Sequence, residues 1–429
     1  MTAYRPRLQA VLGGMPESLE GHRITPDGAS SPHQSAAENV MLGREPTRFG
    51  FIRRRELEAR AAELLNAVGW TGSIRSPLGE RDVVDRRRVH LARAVAEAKA
   101  QGAPAVLVDD SGDELSLDDS VRWNEALARA AESIPLVVAV TTLDACGPRI
   151  EGVLVNHDAR VSGPFDPSDA GAISAALGID RPCRVVPPRP QGEILLAVDD
   201  IRVMHPVMPG RVVFDGISFE ARAGCVTGLA GAQANELLAS LSGRGFGEIV
   251  SGSVTVAGAD VGRLSREKAI ERGVVFATEH PLSYEVGFVG GIPSRVSAER
   301  LRTLARTGMI DAAREYRPVT SASLLQTVGV GRPPSRDDFE GMLSALVAGS
   351  ATVVLLAEPL LGLEGDGRAQ RVAMIDRLAA AGKAVVVSAS PDDLAMLADE
   401  ALIVVHGRVR ETITRGTLTS AALWRGIIL

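Results

Sequence analysis

The sequence predicts an α/β protein built from two diverged copies of one domain, in which short strands alternate with helices. Three observations carry this. Ala105–Ser111 (AVLVDDS) and Val353–Pro359 (VVLLAEP) are apolar runs of strand length, each closed by acidic residues. The distance to the next apolar strand is the same in both, 27 residues from Asp110 to Val137 and 27 from Glu358 to Val385. Each copy then has a further apolar run ending on a histidine, Gly152–His157 and Ala401–His406, with Arg-Val shortly after it.

In chain order, Leu8–Gly14 (LQAVLGG) reads as the counterpart of Leu237–Gly243 (LLASLSG), and the turn-rich Gly21–Gly28 as the counterpart of Gly252–Gly258. Arg86–Ala100 places Val89, Ala92, Val95 and Ala96 at helical spacing, with Arg86, Arg87 and Arg88 expected on a solvated helix face. Strands alternating with helical patterns imply βαβ units and a mainly parallel sheet, and the turn-rich Val198–Ala221 implies an antiparallel addition. Pro182, Pro187, Pro188 and Pro190 read as an extended linker, which puts the boundary near residue 190 and the domains at 1–190 and 191–429.

Composition narrows the function classes. At 429 residues the chain fits two domains. A net charge of -6 offers no basic footprint, so nucleic acid is not an expected partner. Cys146, Cys183 and Cys225 are far apart and lack metal-ligand spacing, which reads as incidental thiols of a reducing compartment, and no metal site is expected. The apolar runs fall well short of the roughly 20 residues of a spanning helix, so any membrane attachment is expected to go through a partner. The basic residues are almost all arginine, the lysines being only Lys99, Lys268 and Lys383.

Four segments suggest a family. In the second half, Val213–Phe219 (VFDGISF) precedes a glycine-bearing segment, Gly228–Glu236 (GLAGAQANE), and Val353–Pro359 follows; in the first half stands Ala37–Pro46 (AENVMLGREP). Their order and that of the elements resembles the tandem ATP-binding subunits of bacterial ABC importers for ribose, galactose, xylose and related sugars, where one polypeptide carries two cassettes. The resemblance implies two cassettes of the P-loop NTPase type in tandem, ATP and Mg²⁺ as ligands, a transmembrane sugar permease as partner, and a cytoplasmic position on the inner face of the membrane. An intact ABC ATPase or a second copy of the chain is the further partner it suggests. It also makes Val353–Pro359 a Walker B strand, Gly228–Glu236 a phosphate loop, and Ala37–Pro46 the helical segment after the Q-loop. Glu279-His280 falls near the second Q-loop, where this family meets its permease.

Each catalytic station departs from what the chemistry needs. A phosphate loop converges backbone N–H groups on the phosphates at a helix N-terminus, while a lysine reaches the β/γ oxygens and a Ser/Thr hydroxyl holds Mg²⁺. In Gly228–Glu236 the second glycine is Gln233, the lysine position Ala234 and the hydroxyl position Asn235; Gly228, Gly231 and Ala232 complete the candidate nucleotide-binding set. None of the three lysines follows a glycine loop. In the first copy, alignment on Leu8 puts the phosphate loop at or before residue 6, truncating that site at the N-terminus. The candidate Walker B acids are Asp109 and Asp110 in the first copy and Glu358, behind Ala357, in the second. The signature positions, Pro77–Asp82 and Phe339–Ser344, lack adjacent glycines behind a serine. Thr141-Thr142 and Ser388–Ser390 stand where the switch histidine belongs, and His157 and His406 read as turn residues.

Losses at every station lead to the expectation of a pseudo-ATPase, an adaptor or regulatory subunit that keeps the cassette surfaces for a permease. The alternative is an active transport ATPase whose missing groups come from a partner chain. Residual nucleotide binding is expected at Gly228–Asn235.

Overall fold

The computed structural model describes residues 7–24, 30–109, 115, 117–143, 147, 149–179, 189–207, 210–242, 246–289, 292–309, 318–319, 326–328 and 336–428. The chain forms two compact units, Met1–Asp180 with Ile428–Leu429, and Arg181–Ile427.

The first unit runs β1 Leu8–Leu12, β2 His22–Ile24, α1 Ala36–Val40, β3 Thr47–Arg48, β4 Phe51–Ile52, α2 Arg54–Ala67 and α3 Val83–Gln101. It continues with β5 Val106–Val108, α4 Leu117–Ala131, β6 Leu136–Val140, β7 Gly152–His157, β8 Arg160–Phe165 and α5 Ala170–Ala176. Its main sheet has the order β2-β5-β6-β1-β7-β8, parallel except for the final hairpin. Every residue of β1, β5 and β6 is buried, as central parallel strands covered on both faces must be.

The second unit opens on long antiparallel strands, β9 Ile194–Met204 and β10 Val212–Arg222, then β11 Val226–Ala230, α6 Ala234–Leu241, β12 Glu248–Val256 and β13 Ala259–Asp260. There follow α7 Arg266–Glu271, β14 Val274–Thr278, β15 Ser283–Val289, β16 Ile292–Ser297, α8 Ala298–Arg306, β17 Pro318–Val319 and β18 Gln326–Val328. The chain closes with α9 Arg336–Ala348, β19 Val353–Ala357, α10 Gly365–Ala380, β20 Ala384–Ser388, α11 Pro391–Leu397, β21 Glu400–Val405, β22 Arg408–Thr414 and α12 Ser420–Ile428. Its main sheet reads β14-β19-β20-β11-β21-β22, the first unit's order repeated strand for strand, and β10-β9-β12-β13 is a separate antiparallel sheet. Residue alternation builds both faces. Val353 and Leu355 of β19 point with Leu237 and Leu238 of α6 toward the antiparallel sheet, while Val354 and Leu356 pack with Ile375 and Leu394 under α10 and α11.

The repeated topology corrects two pairings read from the sequence. Leu8–Gly14 does not match Leu237–Gly243, of which Leu237–Leu241 belongs to α6. Leu8 and Gln9 pair with Leu136 and Gly152 as Val226 and Thr227 pair with Val385 and Glu400, so β1 is the counterpart of β11. Nor does Gly21–Gly28 match Gly252–Gly258, because β2 takes the sheet-edge position of β14 rather than a place in an antiparallel sheet. A five-residue apolar run followed by glycines has no periodicity that separates strand from helix, which is why the pairing misled. The described residues of the first unit include no counterpart of the antiparallel sheet or of α6.

Candidate functional site

In the second unit, the candidate segment Gly228–Asn235 spans the end of β11, a turn and the start of α6. Gly228 lies within the strand; a Cβ there would meet Leu394, Ala398 and Ala401 at 2.9–3.2 Å, so this glycine serves helix-to-sheet packing rather than a phosphate. Gly231 is the turn residue. Its φ is +133° and a Cβ would stand 2.0 Å from the Val404 carbonyl oxygen. Ala232 is exposed, Gln233 is the N-cap without a side-chain bond to the helix, and Ala234 is buried. The turn therefore keeps its backbone shape.

The side chains around it are wrong for a triphosphate. The Asn235 side-chain oxygen accepts from Ser388 Oγ at 2.5 Å, and the Ser388 carbonyl accepts from the Glu358 N–H at 2.8 Å. These links draw the Walker B position, the switch position and the phosphate-loop helix into one chain at the strand ends. Glu358 stands there in a left-handed backbone conformation, φ +48°, with a buried Oε2 that has no hydrogen-bond partner among the described residues. Glu236 adds a second acid in the first turn of α6, where it offsets the positive end of the helix dipole. Glu358 and Glu236 place two carboxylates beside the turn, and neither Ala234 nor Asn235 supplies a cation there. These residues do not fit ATP·Mg²⁺, because the turn lacks the ammonium that reaches the phosphates and the hydroxyl that faces the metal.

No lysine is displaced into the gap. Lys383, the buried one, donates to the carbonyls of Gly349 and Ala351 at 2.6 Å each. It precedes β20, whereas the site lies at that strand's far end, roughly 16 Å away at the ordinary strand rise. Arg371 is equally committed. Fully buried on α10, it bonds Glu279 at 2.8 Å and the Pro359 carbonyl at 3.0 Å, pairs with Glu340 at 3.5 Å, and lies over the Phe339 ring at 4.6 Å. Glu279, expected to face a partner, is turned inward by this pairing. Phe339–Ser344 lies inside α9 rather than at a helix start, so it forms no anion-binding turn. Nothing in the sequence pattern pointed to Arg371, because its partners come from three distant segments.

In the first unit the phosphate-turn position is present, correcting its expected loss at or before residue 6. Gly13 follows β1 as Gly231 follows β11, and a Cβ on it would meet the Asn156 carbonyl oxygen at the same 2.0 Å. The helix that should follow is what is missing: Met15 and Leu19 pack on the sheet from irregular chain. Without a helix N-terminus there are no converging N–H groups. Asp109 is exposed at the end of β5, its N–H bonded to the Ile24 carbonyl at 2.9 Å, and Asp110 lies outside the described residues.

The first unit's signature position is occupied from within. Asp82 is the N-cap of α3 and accepts from the Asp85 N–H at 2.9 Å and from Arg122 at 2.9 Å. Burial opposes its charge, but the Asp85 N–H and the Arg122 guanidinium outweigh burial and hold the Asp82 carboxyl below the ordinary carboxylate range. A helix end already bearing a carboxylate repels a phosphate. An Asp directly ahead of Val83-Val84 was the sequence signal for this cap. Arg87 and Arg88, expected on a solvated face, are buried instead: Arg87 lies over Trp123 at 5.9 Å and Arg88 pairs with Asp85 at 3.3 Å. The turn reading of the histidines fits the geometry, with His406-Gly407 forming a two-residue hairpin turn at φ +49° and +72°, and His157 leading into the equivalent Asp158-Ala159 turn. Among the described residues no cluster of His, Cys, Asp and Glu is arranged to hold a metal ion, and no helix is long and apolar enough to cross a membrane.

Fold and strand order define each unit as an α/β cassette of the P-loop NTPase type. Over most of its length the chain is similar to ATP-binding subunits of bacterial sugar import systems. It is 24% identical over 415 residues to an L-arabinose transport ATP-binding protein, AraG, of Geobacillus stearothermophilus, covering 92% of this chain and 80% of that one. It is 26% identical over 449 residues to ribose import ATP-binding protein RbsA 1 of Streptomyces avermitilis, covering 95% and 80%. With RbsA 3 of Rubrobacter xylanophilus it shares 27% over 406 residues, covering 90% and 78%. No protein-family profile matches the chain. Among solved structures, a Clostridium perfringens cassette described as cbiO1, part of an ABC transporter complex, overlies 52% of the chain at 16% identity and a TM-score of 0.34.

Proposed function

We propose that this protein is a pseudo-ATPase subunit of a carbohydrate import system, an adaptor or regulator that docks on a membrane permease at its cytoplasmic side and turns over little or no ATP. The observation that carries the reading is the second unit's phosphate turn: its backbone shape is kept, while Ala234 supplies no charge, the Asn235 oxygen is bonded to Ser388, and Glu358 adds a carboxylate rather than a cation. Phosphoryl transfer is positioning plus charge stabilisation, and each such group removed costs roughly 10²–10³ in rate. Asp82 on α3 and the absent helix after Gly13 support the same reading for the first unit.

The full chain, titrated with labelled ATP·Mg²⁺ and assayed for phosphate release with and without its permease, tests this. Binding weaker than about 1 mM and no release above background are expected. Micromolar binding with turnover supports the second reading, an active transport ATPase completed by a partner chain.

A further inference from the structure

The first unit gathers three exposed apolar side chains, which its core does not use, on one hairpin. Strands β3 and β4 form a two-residue-per-strand hairpin, Thr47 opposite Ile52 and Arg48 opposite Phe51, closed by Phe49-Gly50. Phe49 is 86% exposed, Phe51 79% and Ile52 57%. Phe49 also sits at φ +52°, ahead of Gly50 at φ +81°. Two-residue hairpin turns with both residues at positive φ favour Asn, Asp or Gly, and a bulky residue there is strained. The chain thus places a phenyl ring in water from a backbone conformation that disfavours it.

Charge gathers around this tip. Residues 44–55 hold Arg44, Arg48, Arg53, Arg54 and Arg55 against one acid, Glu45, in a chain whose net charge is -6. Arg53 pairs with Glu56, and Arg54 with Glu38 at 3.3 Å and Glu58 at 3.9 Å. Among the described residues Arg48 and Arg55 have no carboxylate partner, and Arg48 lies over the Phe49 ring at 5.2 Å.

We propose that this hairpin inserts Phe49, Phe51 and Ile52 into the headgroup region of an anionic lipid bilayer, with Arg48 and Arg55 at the level of the lipid phosphates. Aromatic and aliphatic tips beside basic residues bind such surfaces by combining apolar burial with attraction to anionic headgroups. Three apolar side chains on one hairpin are far fewer than the roughly 20–30 residues a side of a stable protein interface. A fluid surface closes around such a tip without needing a matching groove. The inference is independent of whether either cassette binds nucleotide.

Flotation of the full chain with vesicles of phosphatidylcholine alone, or containing about 40 mol% phosphatidylglycerol, tests it. Recovery with the anionic vesicles only, declining as salt is raised, is expected. The double variants Phe49→Asn/Phe51→Ser and Arg48→Gln/Arg55→Gln should each weaken it roughly tenfold or more. Asn is favoured at the φ of Phe49, so the first variant keeps the turn, and an unchanged melting temperature checks the fold of both. Absence of vesicle binding by the wild type, equal recovery with neutral vesicles, or wild-type binding by both folded variants overturns the proposal. A hairpin that covers a protein partner instead gives the first of these results.

Discussion

At Ala234 a methyl group occupies the place where a phosphate turn needs an ammonium, and one residue on, an amide oxygen is engaged by Ser388. Restoring the chemistry therefore takes several substitutions at once. Gln233→Gly, Ala234→Lys and Asn235→Thr together should raise ATP·Mg²⁺ affinity roughly 10- to 100-fold, the worth of one or two charge-assisted hydrogen bonds, as read by equilibrium titration. An unchanged affinity would mean that Glu358 and Glu236, not the missing lysine, exclude the nucleotide. Arg371 makes the opposite kind of prediction. Arg371→Met leaves the largely buried Glu279 without its cation, and should cost about 3 kcal/mol in urea unfolding. Adding Glu279→Leu should recover part of that loss, since the penalty comes from a buried charge without its partner.

Among the elements, α3 shows how packing overrides a sequence pattern. Its triple arginine looks like a solvent face, yet α4 covers it, and Trp123 and Asp85 take up Arg87 and Arg88. The same helix buries His90, whose imidazole is held to a pKa of about 4 by burial first and by the positive charges of Arg93 and Arg86 next. The unfolded chain takes up a proton near pH 6.5, whereas the native helix takes it up only near 4. Stability is therefore greatest above pH 6.5 and falls as the pH drops from 6.5 toward 4, by roughly 3 kcal/mol at most from this residue. Chemical denaturation of wild type and His90→Phe across that range should show the slope shrinking in the variant. The strands were legible wherever their spacing repeated, as in β5 to β6 and β19 to β20. The error at β1 arose because Leu8–Leu12 is too short to show a period and acquires its identity only by pairing with β6 and β7.

For the whole molecule, the second unit carries a complete topology with hydrophobic clusters on both faces of its main sheet, drawn from its own residues. A chain of residues 189–429 should therefore melt in one cooperative transition by calorimetry; a gradual, non-cooperative loss of structure would show that the first unit is needed for it to fold. The duplicated order of elements was readable because both copies keep the same distance between two strands. The differing state of the two sites was not. Their asymmetry lies in a helix that the first unit lacks after Gly13 and in contacts, such as Asp82 on α3 and Arg122, between residues far apart in the chain.

By itself the sequence determined which chemical groups exist here: no lysine behind a glycine turn, no hydroxyl at Asn235, and acids at Asp109, Asp110 and Glu358. Only the tertiary structure decided where the remaining groups are spent. Arg371, Lys383, Arg87 and Arg88 read as free charges in one dimension, and folding buries each against carbonyls, carboxylates or rings because a buried cation must be paired. It likewise decided that Leu8–Leu12 is a strand, since a strand is completed by its neighbours while a helix satisfies its hydrogen bonds within its own segment.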